Sequence, residues 1–372
     1  MKRRSFIIAM AGIWASPFSQ LEAISKKDNF EYWVWLHPNC KNSQHDWQRH
    51  LEKLKKAGLN NLLVQVYTGG HALFQNQLLA EQPCDVLKTI LPIAQNLDMN
   101  VHAWMWTLIN PSRQLKQKHP EWYVINKLGQ STVDHPPYVG YYNWLCPGKS
   151  EVRQYLIKVV DALLQYDGLA GIHLDYIRFP DVILPPGIQP KYNLKQTEEQ
   201  PQFDYCYCTD CQQAFKKTHG LNPFHLKNDD EAMLWKKFRE NQITQIVKML
   251  SHRVKKRGKI VLAAVFATPH LARKFVRQNW PTWPLDYVFP MIYHEFYNQS
   301  LAWIFEASKQ GVKAIGQNQK LISGLFLDHV PPGELKRAIG LAHKAGAAGV
   351  SFFSHGDLIQ NPEYLNILTK MS

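Results

Sequence analysis

Apolar and polar positions alternate along this chain in two periods that take turns. Runs in which every second position, or every position, is apolar read as strands at 31–36 (EYWVWL), 61–67 (NLLVQVY) and 100–106 (NVHAWMW). Further strands are expected at 171–180, 259–266 (KIVLAAVF), 287–293 (YVFPMIY), 321–327 (LISGLFL) and 349–353 (GVSFF). Helical period appears at 46–57, with Asp46 as candidate cap and Leu51 and Leu54 on one face, and at 85–96, 150–166, 231–256 and 333–345. A last helix starts near Pro362. Eight strands alternating with helical segments predict a parallel sheet with helices outside, and that number fits a closed (β/α)8 TIM barrel. Residues 30–372 then form one domain, with an insertion rich in Pro, Gln and Lys at about 181–230 after the fourth strand.

The fourth strand organises the candidate chemistry. In Gly171-Ile172-His173-Leu174-Asp175-Tyr176-Ile177-Arg178-Phe179-Pro180, Ile172 and Leu174 point to one face, His173 and Asp175 to the other. Pro180 cannot donate to a ladder, so the strand is expected to stop about there. In such barrels the chemistry sits where strands end. The predicted strand ends supply His37, Gln65, Tyr67, His102, Trp104, Trp106, His173, Arg178, Tyr293, His294, Asp328 and His355 with Asp357. Trp, Tyr, His and carboxylates together suit a sugar, whose ring faces stack on aromatics while its hydroxyls meet polar groups. Trp33 and Trp35 equally suit core packing. Glycoside hydrolysis needs two carboxyl groups flanking the anomeric carbon. Asp175 is the first candidate, as nucleophile or base, against the alternative of a buried Asp paired with Arg178. Glu295, sharing parity with Tyr293 beyond the sixth strand, is the candidate acid, with a surface-loop position as its alternative.

Composition adds an aromatic surplus and a basic balance. The 12 Trp and 16 Tyr exceed what a core needs, and the net charge is +13. The Lys and Arg are dispersed over amphipathic helices rather than gathered in one run, which argues against nucleic acid and leaves a solvated basic surface or an acidic glycan as readings. Lys2-Arg3-Arg4 followed by a short apolar run from Phe6 to Ala15 reads as an export signal over residues 1–23, and Arg3-Arg4-Ser5-Phe6-Ile7 is similar to a twin-arginine signal. No other apolar run is long enough to span a bilayer, so the expected location is periplasmic or extracellular.

Cys206-x-Cys208-x-x-Cys211 lies in the insertion. Three thiols so close suit a small structural zinc site, for which Cys146, His219 and His225 are candidate fourth ligands. Disulfides involving Cys40, Cys84 or Cys146 are the alternative in an exported protein. No cofactor is expected for catalysis.

Gly171-Ile172-His173-Leu174-Asp175-Tyr176 followed by Arg178-Phe179-Pro180 resembles the signature of the bacterial glycosyl hydrolase-like family ten. So do Gly58-Leu59-Asn60, His102-Ala103-Trp104, Trp144-Leu145-Cys146-Pro147-Gly148 and Pro290-Met291-Ile292-Tyr293. The resemblance runs from about Glu31 to the end and implies a (β/α)8 barrel that hydrolyses an envelope or dietary glycan. This chain departs from it in having Tyr176 where the family often places a second acid, and His294-Glu295 where a Trp is common. The resulting expectation is an exported glycoside hydrolase using Asp175 and Glu295. Its rivals are a glycan-binding barrel without turnover and a metal-dependent amide or ester hydrolase.

Overall fold

The computed structural model describes residues 30–76 and 82–371, so the candidate export signal lies outside the described residues. Eight strands close into a parallel barrel in sequence order. They are β1 (Glu31–Leu36), β2 (Asn61–Tyr67), β3 (Asn100–Trp106), β4 (Leu169–Asp175), β5 (Ile260–Phe266), β6 (Tyr287–Met291), β7 (Lys320–Phe326) and β8 (Gly349–Phe353). β1 pairs with both β2 and β8, which removes the exposed edges an open sheet would have.

The alternation along each strand divides two cores. Trp33, Trp35, Leu63, Trp104, Leu262, Phe289 and Ile322 fill the barrel interior. Val34, Leu36, Leu62, Val64, Ile172 and Leu174 face outward into the larger layer between sheet and helices. Trp33 and Trp35 are therefore core residues. His102 and His173 also lie inside, each fully buried. Burial pushes the His102 ring down to about 3. Burial, with His102 adding to it, pushes His173 well below its ordinary value. Trp35 Nε1 donates to His173 Nε2 at 3.1 Å, so His173 braces the floor beneath the barrel mouth.

Helix boundaries follow local capping. The helix Gln44–Lys56 starts one turn earlier than Asp46 suggests, because Ser43 is the cap and Asp46 closes a reciprocal capping box from the third position. The next helix, Val86–Asn96, is capped by Asp85, which accepts from Lys88 N–H at 3.0 Å. Among the described residues no helix is long and apolar enough to cross a membrane.

Gly171 is required by close approach rather than by a turn. A Cβ there would lie 2.5 Å from the Ile260 carbonyl and 3.0 Å from His102 Nδ1. Gly171→Ala is expected to cost about 1–3 kcal/mol, the range for overpacking a tight interior. A urea midpoint unchanged from wild type would show that β4 and β5 can part without penalty.

Candidate active site

β4 ends at Asp175, five residues before Pro180, because Tyr176 takes a left-handed backbone with φ +47°. This turn lifts the chain off the ladder and leaves the Asp175 carboxyl at the barrel mouth. Tyr176 N–H donates to Oδ1 at 2.7 Å, and Trp104 Nε1 donates to Oδ2 at 3.0 Å. Asp175 is 8% exposed, and burial pushes its carboxyl up to about 6, against those two hydrogen bonds and the charge of Arg178. A carboxyl in that range can hold a proton or release it near neutral pH.

Asp175 opens on a cavity of about 230 Å³. Its barrel side is His37, Gln65, Trp104, Trp106, Tyr293 and Phe353. His37 Nδ1 lies 3.1 Å from Gln65 Oε1, and its ring packs 4.8 Å from that of Trp104. Trp106 stacks on Tyr141 at 5.7 Å and meets Tyr176 edge-on at 5.2 Å. The opposite wall comes from the loops after β3 and β4, through Tyr138, Tyr142, Asp181, Leu184, Ile188 and Tyr192.

Arg178 also lines the cavity, but it does not pair with Asp175 as a buried partner. Its Nη1 donates to Asp181 Oδ2 at 2.7 Å, and its guanidinium lies 5.0–5.2 Å from the ring centres of Trp144, Tyr176 and Phe266. The loop bearing Asp181 is fastened by buried amides. Gln196 accepts from Leu184 N–H, Gln189 donates to the Leu184 carbonyl, and Tyr138 OH donates to the Asp181 carbonyl at 2.7 Å.

Several expected site residues are not brought to the cavity. Glu295 lies in a short turn at His294–Tyr297, with its side chain 59% exposed and His329 Nε2 3.6 Å away. β6 stops at Met291, so strand parity does not extend to position 295. Glu295 is thus not the acid facing Asp175, and Glu295→Gln is expected to leave turnover within about twofold, as for a surface change. A tenfold loss in kcat would return Glu295 to the chemistry. His294 is buried beside His329, 6.0 Å between rings, and Asp328 is exposed on the turn after β7. His355 is buried against Trp47 and His50, and Asp357 caps its helix by accepting from Ser354. Tyr67 is displaced by an irregularity in the β2–β3 register between Gln65 and Tyr67, and its hydroxyl sits 2.8 Å from that of Tyr155 in the outer layer. His102 and His173 lie below the mouth, in the barrel core.

Asp181 is the carboxylate that the strand pattern misses, along with the loop residues Tyr138, Tyr142, Leu184, Ile188 and Tyr192. It belongs to no strand, and its position depends on the Arg178 pair and on the insertion's return over the mouth. The signal present in the sequence is the Arg178-x-x-Asp181 spacing directly after the key strand.

The cysteines separate into two groups. Cys40 and Cys84 form a disulfide. Cys146 joins Cys206, Cys208 and Cys211, all buried, with the four sulfurs within 4.8 Å of one another. His219 instead packs against Phe215, and His225 is exposed, so neither approaches the thiols as a fourth ligand. None of the four cysteines lines the cavity at Asp175.

A closed (β/α)8 barrel with a carboxyl at the C-terminal end of β4, in a cavity walled by the loops that follow the strands, has its candidate site where such barrels carry their chemistry. The Glycosyl hydrolase-like 10 family model matches residues 10–338, and the chain belongs to that family. Among solved structures it is similar to the PgaB (BpsB) glycoside hydrolase domain from Bordetella bronchiseptica, at 14% identity and a TM-score of 0.70, covering 92% of this chain and 98% of that one. A GH42 β-galactosidase from G. stearothermophilus aligns at 12% identity and a TM-score of 0.65, over 93% of this chain and 56% of its own. The catalytic domain of a β-amylase from Paenibacillus polymyxa aligns at 12% identity and 0.62, over 93% and 99%. At these identities the likeness concerns the fold. No curated protein sequence matches the chain.

Proposed function

We propose that the protein is an exported glycoside hydrolase acting on an oligo- or polysaccharide, with Asp175 as the group that transfers the proton. The observation that carries this reading is the Asp175 carboxyl, held near 6 by burial while opening on a cavity walled by Trp, Tyr and Phe. A carboxyl that still holds its proton close to neutral pH suits a general acid, which protonates the leaving glycosidic oxygen. Asp175 therefore takes the acid/base part rather than that of nucleophile. Asp181 is the other carboxyl lining the cavity among the described residues and takes the part of the second carboxylate. His37 and Gln65 supply hydrogen bonds for sugar hydroxyls, while Trp106, Tyr142 and Tyr293 offer faces for the ring. The Cys40–Cys84 disulfide supports export, because such bridges persist in oxidising compartments. Fractionation of cells carrying the full chain tests that part.

The ion pair between Arg178 and Asp181 favours a second reading, a barrel that binds glycans without cutting them. An Asp181 already engaged at 2.7 Å, and 2% exposed, has little freedom to attack a sugar. A panel of neutral and acidic polysaccharides, read by release of reducing ends and by binding, separates the two. Hydrolysis is expected from wild type and lost in both Asp175→Asn and Asp181→Asn while binding persists. Binding without release from any glycan would leave the second reading in place.

A further inference from the structure

We propose that Cys146, Cys206, Cys208 and Cys211 bind one zinc ion as a tetrathiolate centre, and that this centre pins the insertion after β4 to the loop after β3. A tetrahedron of Zn–S bonds of about 2.3 Å has sulfur–sulfur edges of about 3.8 Å. Here Cys146 Sγ lies 3.7 Å from Cys208 Sγ and 3.5 Å from Cys211 Sγ, and all four sulfurs fall within 4.8 Å of one another. Disulfide bonding would need pairs at about 2.05 Å, which Cys40 and Cys84 show and these four do not. The donors are four soft thiols with no carboxylate among them, a set that selects zinc over magnesium or calcium.

The surroundings fit a charged centre. Four thiolates around a divalent ion carry two negative charges, and Lys149 and Arg153 stand close enough for their charges to act on the cysteines. Ile125 N–H points to Cys206 Sγ at 3.5 Å. At Gly148 a Cβ would sit 2.8 Å from Cys211 Sγ and 3.6 Å from Cys146 Sγ, so the backbone leaves the space the sulfurs occupy.

The connectivity gives the centre its task. Cys146 belongs to the loop after β3, which carries Tyr138 and Tyr142, whereas the other three belong to the insertion that carries Asp181, Leu184 and Tyr192. Those two segments form the outer wall of the cavity, and backbone pairing of Asn126 with Tyr205 and Ile125 with Tyr207 joins them beside the sulfurs. A metal at this junction is structural, because none of its ligands reaches the cavity.

The test is elemental analysis of the full chain purified without chelator. About one zinc per chain is expected, released as a mercurial titrates four thiols, with the Cys40–Cys84 bridge unaffected. Cobalt substitution is expected to give the visible bands of tetrahedral thiolate coordination. Cys208→Ser and Cys211→Ser are each expected to lower zinc retention after dialysis, and zinc removal from wild type is expected to open residues 181–225 to limited proteolysis before the barrel. Zinc-free folded protein, bridges among the four cysteines in a non-reducing peptide map, or iron as the bound metal would each overturn the zinc assignment. Unchanged retention in both variants would do the same. Proteolysis spread evenly along the metal-free chain would overturn the pinning role.

Discussion

Asp175→Asn is expected to reduce glycan hydrolysis by about 10²–10⁴-fold, the usual contribution of a positioned acid or base. KM should change little, because the amide keeps the shape of the carboxyl and its place beside Trp104. The same substitution should alter stability in a pH-dependent way. The wild-type carboxyl titrates near 6 when folded against 3.8 as its ordinary value, so the folded state binds this proton more tightly than the unfolded one. Stability from this group is therefore fully present below about pH 4, falls as pH rises towards 6, and stays lower above it. A shift of about two pH units corresponds to at most about 3 kcal/mol. Asparagine removes that loss but offers only one acceptor to the two N–H groups of Trp104 and Tyr176, a cost that does not vary with pH. The difference in Tm between variant and wild type is thus expected to move in favour of the variant between pH 4 and 7. A flat difference across that range would mean Asp175 does not titrate near 6. In the wild type, kcat/KM is expected to decline above about pH 6 as the acid loses its proton; a rise through that pH would assign Asp175 as base or nucleophile instead.

The largest effect on folding is expected at Asp204. This carboxylate accepts from Arg239 Nη1, from Arg277 Nη2 at 3.4 Å and from Tyr207 OH at 2.7 Å. Arg239 is 1% exposed and also donates to the Tyr205 carbonyl at 2.7 Å, while Arg277 is held by Glu199 at 2.6 Å. Asp204→Asn leaves the buried Arg239 without a carboxylate partner and Arg277 with Glu199 alone. Breaking a buried pair in this manner costs about 3–5 kcal/mol, against about 0–1 kcal/mol for an exposed ion pair. The loss should appear as a lowered urea midpoint. Proteolysis should strike first at the insertion, where Asp204 connects residues 199–207 to the helix Asp229–Lys255. A loss below about 1 kcal/mol would show that water reaches these arginines once the carboxylate is gone. Because the insertion also carries Asp181 and Tyr192, reduced stability there should be accompanied by weaker glycan binding.

The chain's own order of residues determined the barrel and the central carboxyl. Strand parity depends only on neighbouring residues, so the inward set Trp33, Trp35, Trp104, His173 and Asp175 follows from local alternation. Side-chain caps such as Asp85 are likewise local. Parity ceases to inform once a strand bulges or ends, and it does not tell how deep along the strand a residue lies, so His102 and His173 point inward as read but sit below the mouth. Tyr67 follows the register irregularity of β2, Glu295 follows the early end of β6, and Asp328 follows the turn after β7. Tertiary structure alone decided that Asp181 faces the cavity, through a cation caged by three aromatic rings, and that Cys146 completes the thiol quartet from 60 residues before Cys206. Those positions depend on how two long loops return over one barrel mouth. That path is set by contacts between residues far apart in the chain, which no local period encodes.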